Sequence, residues 1–133
     1  MIEKFGYGYS DIYEYSTDID TLVSIQKQAL EIIGEIGPYI FIPHSMSGLE
    51  ALRWKQIYPD DVDAIIGIDM ATPLSYSEWT DKKVSKKIRL MEFASMLNAK
   101  LICYDCGHYI HHYKSGEMCE EIIEFLDSLE RQL

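Results

Sequence analysis

Two short, uninterrupted apolar runs constrain this chain more than any other feature. Tyr39 to Ile42 and Ala64 to Ile68 are rich in β-forming residues and show no polar alternation, and turn residues bound them at Gly37-Pro38, Pro43 and Tyr58-Pro59-Asp60-Asp61. Runs of that length and composition read as strands covered on both faces, the habit of parallel sheets. Between them, from Met46, the residues Leu49, Leu52, Arg53 and Ile57 recur at helical spacing. Strand, helix and strand in so short a stretch make a βαβ unit, which requires parallel strands and a right-handed crossover.

The same periodicities organise the remainder. Ile19, Leu22, Val23, Leu30 and Ile33 predict a helix over 17–36, capped by Thr17 with Asp20 and stopped by Gly37-Pro38. Val84, Ile88, Met91 and Leu97 predict another, and Lys100 to Tyr104 a third, shorter strand. Met118, Ile122, Phe125, Leu126, Leu129 and Leu133 form one apolar stripe on a final helix whose other faces are acidic. The expected fold class is therefore α/β: a three-layer αβα domain around a short parallel sheet of about three strands. With 133 residues and no low-complexity linker, 1–133 is expected to be a single domain. The rings at 5, 7, 9, 13 and 15 alternate, as in a strand or the wall of an apolar pocket, or as cover for a sheet edge.

Charge excludes some functions. Twelve basic against 22 acidic residues give a net charge of −10, a field that repels phosphate backbones and anionic lipid. Neither a nucleic acid nor a membrane is an expected partner. Lys82, Lys83, Lys86, Lys87 and Arg89 form a local basic patch, readable as an anion site or as a solvated helix face. No apolar run has membrane-spanning length, and the start lacks the order of a signal peptide, so the expected location is cytoplasmic. Cys103, Cys106 and Cys119 then read as reduced thiols.

In open parallel sheets ligands bind beyond the carboxyl ends of the strands, and the chemistry-bearing residues of this chain collect there. Pro43-His44-Ser45-Met46-Ser47-Gly48 lies between a strand and a helix, where a nucleophile elbow would hold its serine in a strained conformation between small neighbours. Such a turn exposes the Ser45 hydroxyl and positions the Met46 amide to donate to a developing oxyanion. Ser45 as a plain helix N-cap is the alternative. Asp105-Cys106-Gly107-His108 follows the third expected strand, from which His108 can reach Ser45 as general base. Asp69 closes the second strand, either as the acid that orients His108 or as a loop residue; Asp105 is the fallback acid.

Read in order, three segments resemble the α/β-hydrolase superfamily. Gly6-Tyr7-Gly8-Tyr9-Ser10-Asp11 is similar to its G-Y-G-x-S-D segment, His44 to Gly48 to its H-S-M-G-G elbow, and Gly107-His108 with the acidic last helix to its G-H-x-x-H close. The resemblance implies a serine hydrolase acting on an ester or related small acyl compound. Ser45 is then the nucleophile, His108 the base and Met46 an oxyanion donor, with no cofactor. Some members of the superfamily carry their acid after the sixth strand, the place Asp69 would occupy. The chain departs from the pattern in its strand count: the strands before the glycine-tyrosine segment, with the second oxyanion donor, and the lid and seventh strand have no counterpart, as in a truncated hydrolase. A non-catalytic remnant acting as an interaction or oligomerisation module is the rival reading, and uncovered sheet edges predict a homodimer. The cluster Cys103, Cys106, His108, His111 and His112 has soft ligands at close spacing but no second half elsewhere, and no metal is expected.

Overall fold

The computed structural model describes residues 5–14, 16–75 and 86–131. Their order is α1 (Ile19–Ile32), β1 (Tyr39–Phe41), α2 (Ser47–Ile57), β2 (Val62–Ile65), α3 (Lys86–Met96), α4 (Ile110–Tyr113) and α5 (Ser115–Glu130). The protein is mixed α/β, with a short two-stranded parallel sheet. The chain divides into two compact units, Met1–Phe41 with Leu49–Ile65, and Ile42–Gly48 with Ile66–Leu133.

The first unit holds the βαβ core. β1 and β2 pair in parallel, Tyr39 opposite Val62, Ile40 opposite Ala64 and Phe41 opposite Ile65. Val23 of α1, Trp54 of α2 and Val62 of β2 are buried together, and Leu30, Tyr39, Phe41, Ile57, Tyr58 and Ile65 pack around them. Trp54 organises this core. Its ring centroid lies 5.1 Å from Phe41, 6.0 Å from Tyr39 and 6.2 Å from Tyr58, the last two edge-on, spacings at which aromatic quadrupoles attract. Polar ties flank it: the Arg53 guanidinium grips Asp20 through Nε at 2.6 Å and Nη2 at 2.9 Å, and Gln26 donates to Glu50 at 2.7 Å.

The ends of α1 correct the sequence reading. Asp18, not Thr17, is the N-cap: its carboxylate accepts the Thr21 amide at 2.9 Å. Hydrogen bonds from the Ser16 and Thr21 hydroxyls and the Thr21 amide hold that carboxyl down at about 2. At the other end the helix stops before Gly37-Pro38. Gly34, at φ 81°, donates to Glu31 O while Glu35 donates to Leu30 O, a Schellman closure that needs the left-handed conformation glycine adopts without cost.

The second unit carries the strand extensions and the C-terminal helices. α3 ends in the same kind of closure, with Asn98 at φ 51° and its amide on Ser95 O. Lys100 reaches Glu121 of α5 at 2.7 Å. The expected third strand is not formed: residues 101–104 pair with no strand among the described residues, and Leu101, Ile102 and Cys103 are exposed. Apolar β-forming residues supply propensity, but a strand exists only where a neighbour takes up its amides and carbonyls. Residues 5–14 are not a strand either. Gly6 and Gly8 adopt positive φ, Gly6 donates to Asp11 O, and Tyr7, Tyr9 and Tyr13 are exposed. Tyr15, Lys82, Lys83, Val84 and Leu133, named in the sequence reading, lie outside the described residues. Among the described residues no helix is long and apolar enough to cross a membrane.

Candidate active site

The site lies within the second unit, built where the chain leaves the two strands. Beyond β1 and β2 the parallel pairing continues as a single bridge between His44 and Ile68. Ile68 donates to Pro43 O at 2.8 Å, Ser45 donates to Ile68 O at 3.4 Å, and Ala71 donates to Ser45 O at 2.7 Å. These bonds tie the turn that presents Ser45 to the turn that presents Asp69.

Both turns are strained at the residue of interest. Ser45 has φ 55° and Asp69 φ 40°, left-handed conformations that cost a non-glycine residue of the order of 1 kcal/mol and that cluster at functional sites. Ser45 is half-buried and is not the N-cap: α2 begins at Ser47, and among the described residues the Ser45 hydroxyl makes no capping bond. Ser47 bonds locally instead, donating to His44 O at 2.7 Å and accepting the His44 amide at 3.1 Å. Gly48 permits the approach of the Asp69 segment, since a Cβ there would lie 2.5 Å from Ala71 O and 2.6 Å from Met70 Cβ. Met46 follows Ser45, its side chain exposed.

Asp69 and His108 are brought together. His108 Nδ1 is hydrogen-bonded to Asp69 Oδ2 in a half-buried setting. A carboxylate accepts and does not donate, so the bond assigns the proton to Nδ1 and leaves Nε2 as the basic nitrogen of a neutral ring. Asp105 is exposed, and His108 Nδ1 donates to Asp69 instead. Among the described residues Ser45 Oγ is not hydrogen-bonded to His108, whose bonds go to Asp69 and His44.

The sequence reading passed over His44. Its Nε2 lies 3.2 Å from His108 O and its ring centroid 4.5 Å from that of His108. All four histidines of the chain gather here, His111 being 5.0 Å from His44 and 4.5 Å from His112. Partial burial, then the neighbouring His112, His44 and His108, hold the His111 imidazole below its ordinary value. Their recurrence around Gly107 was visible in the sequence, but their convergence on residue 44 was not. Among the described residues no three His, Cys, Asp or Glu side chains are grouped as a metal site. Cys103 is exposed, its segment joining no sheet among the described residues.

No family model matches the chain, and no solved structure does. It is 42% identical over 76 residues, 57% of its length, to a Bacillus subtilis protein named "Uncharacterized protein YbdG". It is 34% identical over 74 residues, 56% of its length, to a homoserine O-acetyltransferase of Corynebacterium urealyticum. The matches span 23% and 19% of those two proteins. The chain thus has partial similarity to an acyl-transferring enzyme.

Proposed function

We propose that the protein is a serine-dependent acyl hydrolase of the α/β-hydrolase type, acting on a small ester or related acyl compound. The observation that carries the reading is the pairing of Asp69 with His108 Nδ1 in the unit where Ser45 sits at φ 55° on a strand-to-helix turn. His108 takes the Ser45 proton as Oγ attacks the acyl carbon, and Asp69 stabilises the imidazolium. The Met46 amide donates to the oxyanion. His108 then protonates the leaving alcohol, and water, activated by the same imidazole, releases the acid from acyl-Ser45.

Similarity to an acetyltransferase favours a second reading, in which an alcohol replaces water as the acyl acceptor. Both share the acyl-serine. Incubation with a fluorophosphonate, followed by peptide mass spectrometry, tests it: the adduct is expected on Ser45 and absent in His108→Ala, because an unassisted serine is a poor nucleophile. Equal labelling of both proteins, or of neither, removes the catalytic reading in favour of an interaction module. Release of p-nitrophenol from p-nitrophenyl acetate, with and without added homoserine, then separates hydrolysis from transfer.

A further inference from the structure

The elbow, the Asp69 turn and the His108 loop meet at one side chain to which the proposed chemistry gives no role. His44 precedes Ser45, and its backbone bridges Ile68, the neighbour of Asp69. Its imidazole lies tilted at 36° to the His108 ring, with centroids 4.5 Å apart, and is stacked with Tyr109 at 5.6 Å. Its Nε2 is 3.2 Å from the carbonyl oxygen of His108. A carbonyl only accepts, so His44 must carry its proton on Nε2. The His44 backbone is itself held at both polar groups by the Ser47 hydroxyl. The imidazole is therefore a strut from a fixed backbone position to the peptide of the base.

That peptide needs such a strut. Among the described residues, its two chain neighbours aside, no heavy atom lies within 4 Å of where a Cβ on Gly107 would be, so no side chain of its own packs that position against the rest of the unit. The bond from Asp69 fixes one end of the His108 ring but leaves its backbone able to swing about it. We propose that His44 is a positioning residue: by donating from Nε2 to His108 O and packing its tilted ring against that of His108, it holds Nδ1 on Asp69 and sets the direction in which Nε2 faces. This rests on the serine-dependent reading only for its consequence in catalysis. The positioning itself is a statement about His108 and is measurable without turnover.

Long-range proton–nitrogen NMR of the histidine rings in the unaltered protein is the first test, with the Nε2–H tautomer expected for His44 and the Nδ1–H tautomer for His108. An Nδ1–H tautomer at His44 would overturn the proposal, whether or not any variant folds. In His44→Phe, which keeps a ring but loses the donor, the His108 Nδ1 proton is expected to exchange rapidly with solvent and fluorophosphonate labelling of Ser45 to slow about 10- to 100-fold. His44→Gln, which restores an N–H at similar reach, should recover a protected Nδ1 proton and most of the labelling rate. An Nδ1 proton in His44→Phe as protected as in the unaltered protein would refute the strut. If Ser45 in the unaltered protein never labels, the catalytic reading fails alone, and the tautomer and exchange results still decide the role of His44.

Discussion

His108 Nδ1 is hydrogen-bonded to Asp69 Oδ2 across 39 residues of sequence, with the carboxylate side chain 19% exposed and the imidazole 37%. The less exposed partner is the one that fixes the tautomer, and the more exposed ring keeps Nε2 as its second nitrogen.

Asp69→Asn keeps the shape of that contact and removes its charge. The amide can also donate, so the ring is no longer held in the Nδ1–H form. Labelling of Ser45 by fluorophosphonate is expected to slow by roughly 10³- to 10⁴-fold with folding preserved. A rate within a few-fold of the unaltered protein would show that Asp69 is a structural partner only.

Ser45→Gly should separate stability from chemistry. Glycine occupies φ 55° without the Cβ clash that serine suffers, so urea unfolding is expected to show a gain of about 1 kcal/mol. The adduct disappears with the hydroxyl. A loss of stability would mean that the side chain is structural and that the strain is offset elsewhere.

Gly48→Ala and Gly67→Ala should part company. Inside α2, alanine ordinarily gains about 1 kcal/mol over glycine, but the Gly48 Cβ would strike the backbone oxygen of Ala71 at 2.5 Å. Separating the elbow from the Asp69 turn should cost about 1–3 kcal/mol and slow labelling. At Gly67 the obstacle is Met70 Sδ, also at 2.5 Å, a flexible side chain that can turn away. Denaturation midpoints for the two variants are the check, and equal losses would contradict the contrast.

Acid should weaken the histidine cluster before it titrates most carboxylates. His111 is held below its unfolded value of 6.5, first by burial and then by its histidine neighbours. The unfolded chain therefore binds its proton more readily, and stability rises with pH across that interval. The contribution is complete above 6.5 and is lost as pH falls toward the lowered folded value. Urea midpoints followed from pH 8 down to pH 5 should fall over this range, and His111→Phe should flatten that part of the curve. An unchanged slope in the variant would assign the loss to other groups.

Self-association is expected from the apolar surface near β1. Ile32 and Ile36 are each 84% exposed, and Ile40 and Ile42 of the following segment are exposed as well. A contiguous sequence stretch of that character, next to a two-stranded sheet, favours a symmetric partner. Light scattering after size exclusion should report twice the chain mass at micromolar concentration; a monomer across dilution would exclude the dimer.

What the sequence alone determined is local in origin. The apolar runs at 39–42 and 64–68 and the helical spacing between them specified a parallel βαβ unit, but not burial on both faces, since Ile40 and Ile42 are exposed. The serine turn after the first run was equally legible. Gly34 was a readable stop for α1, overshadowed by the stronger Gly37-Pro38 signal three residues on. Tertiary structure decided what depends on distant partners. Lys100 to Tyr104 has the composition of a strand but no neighbour to pair with among the described residues, and propensity cannot supply one. Trp54 became the centre of the first unit's core only when α1 and both strands closed on it. The choice of Asp69 over Asp105 for His108, and the placement of His44 beneath that ring, were set by the joining of segments far apart in sequence. Such closures carry no periodicity, so no window of the chain records them.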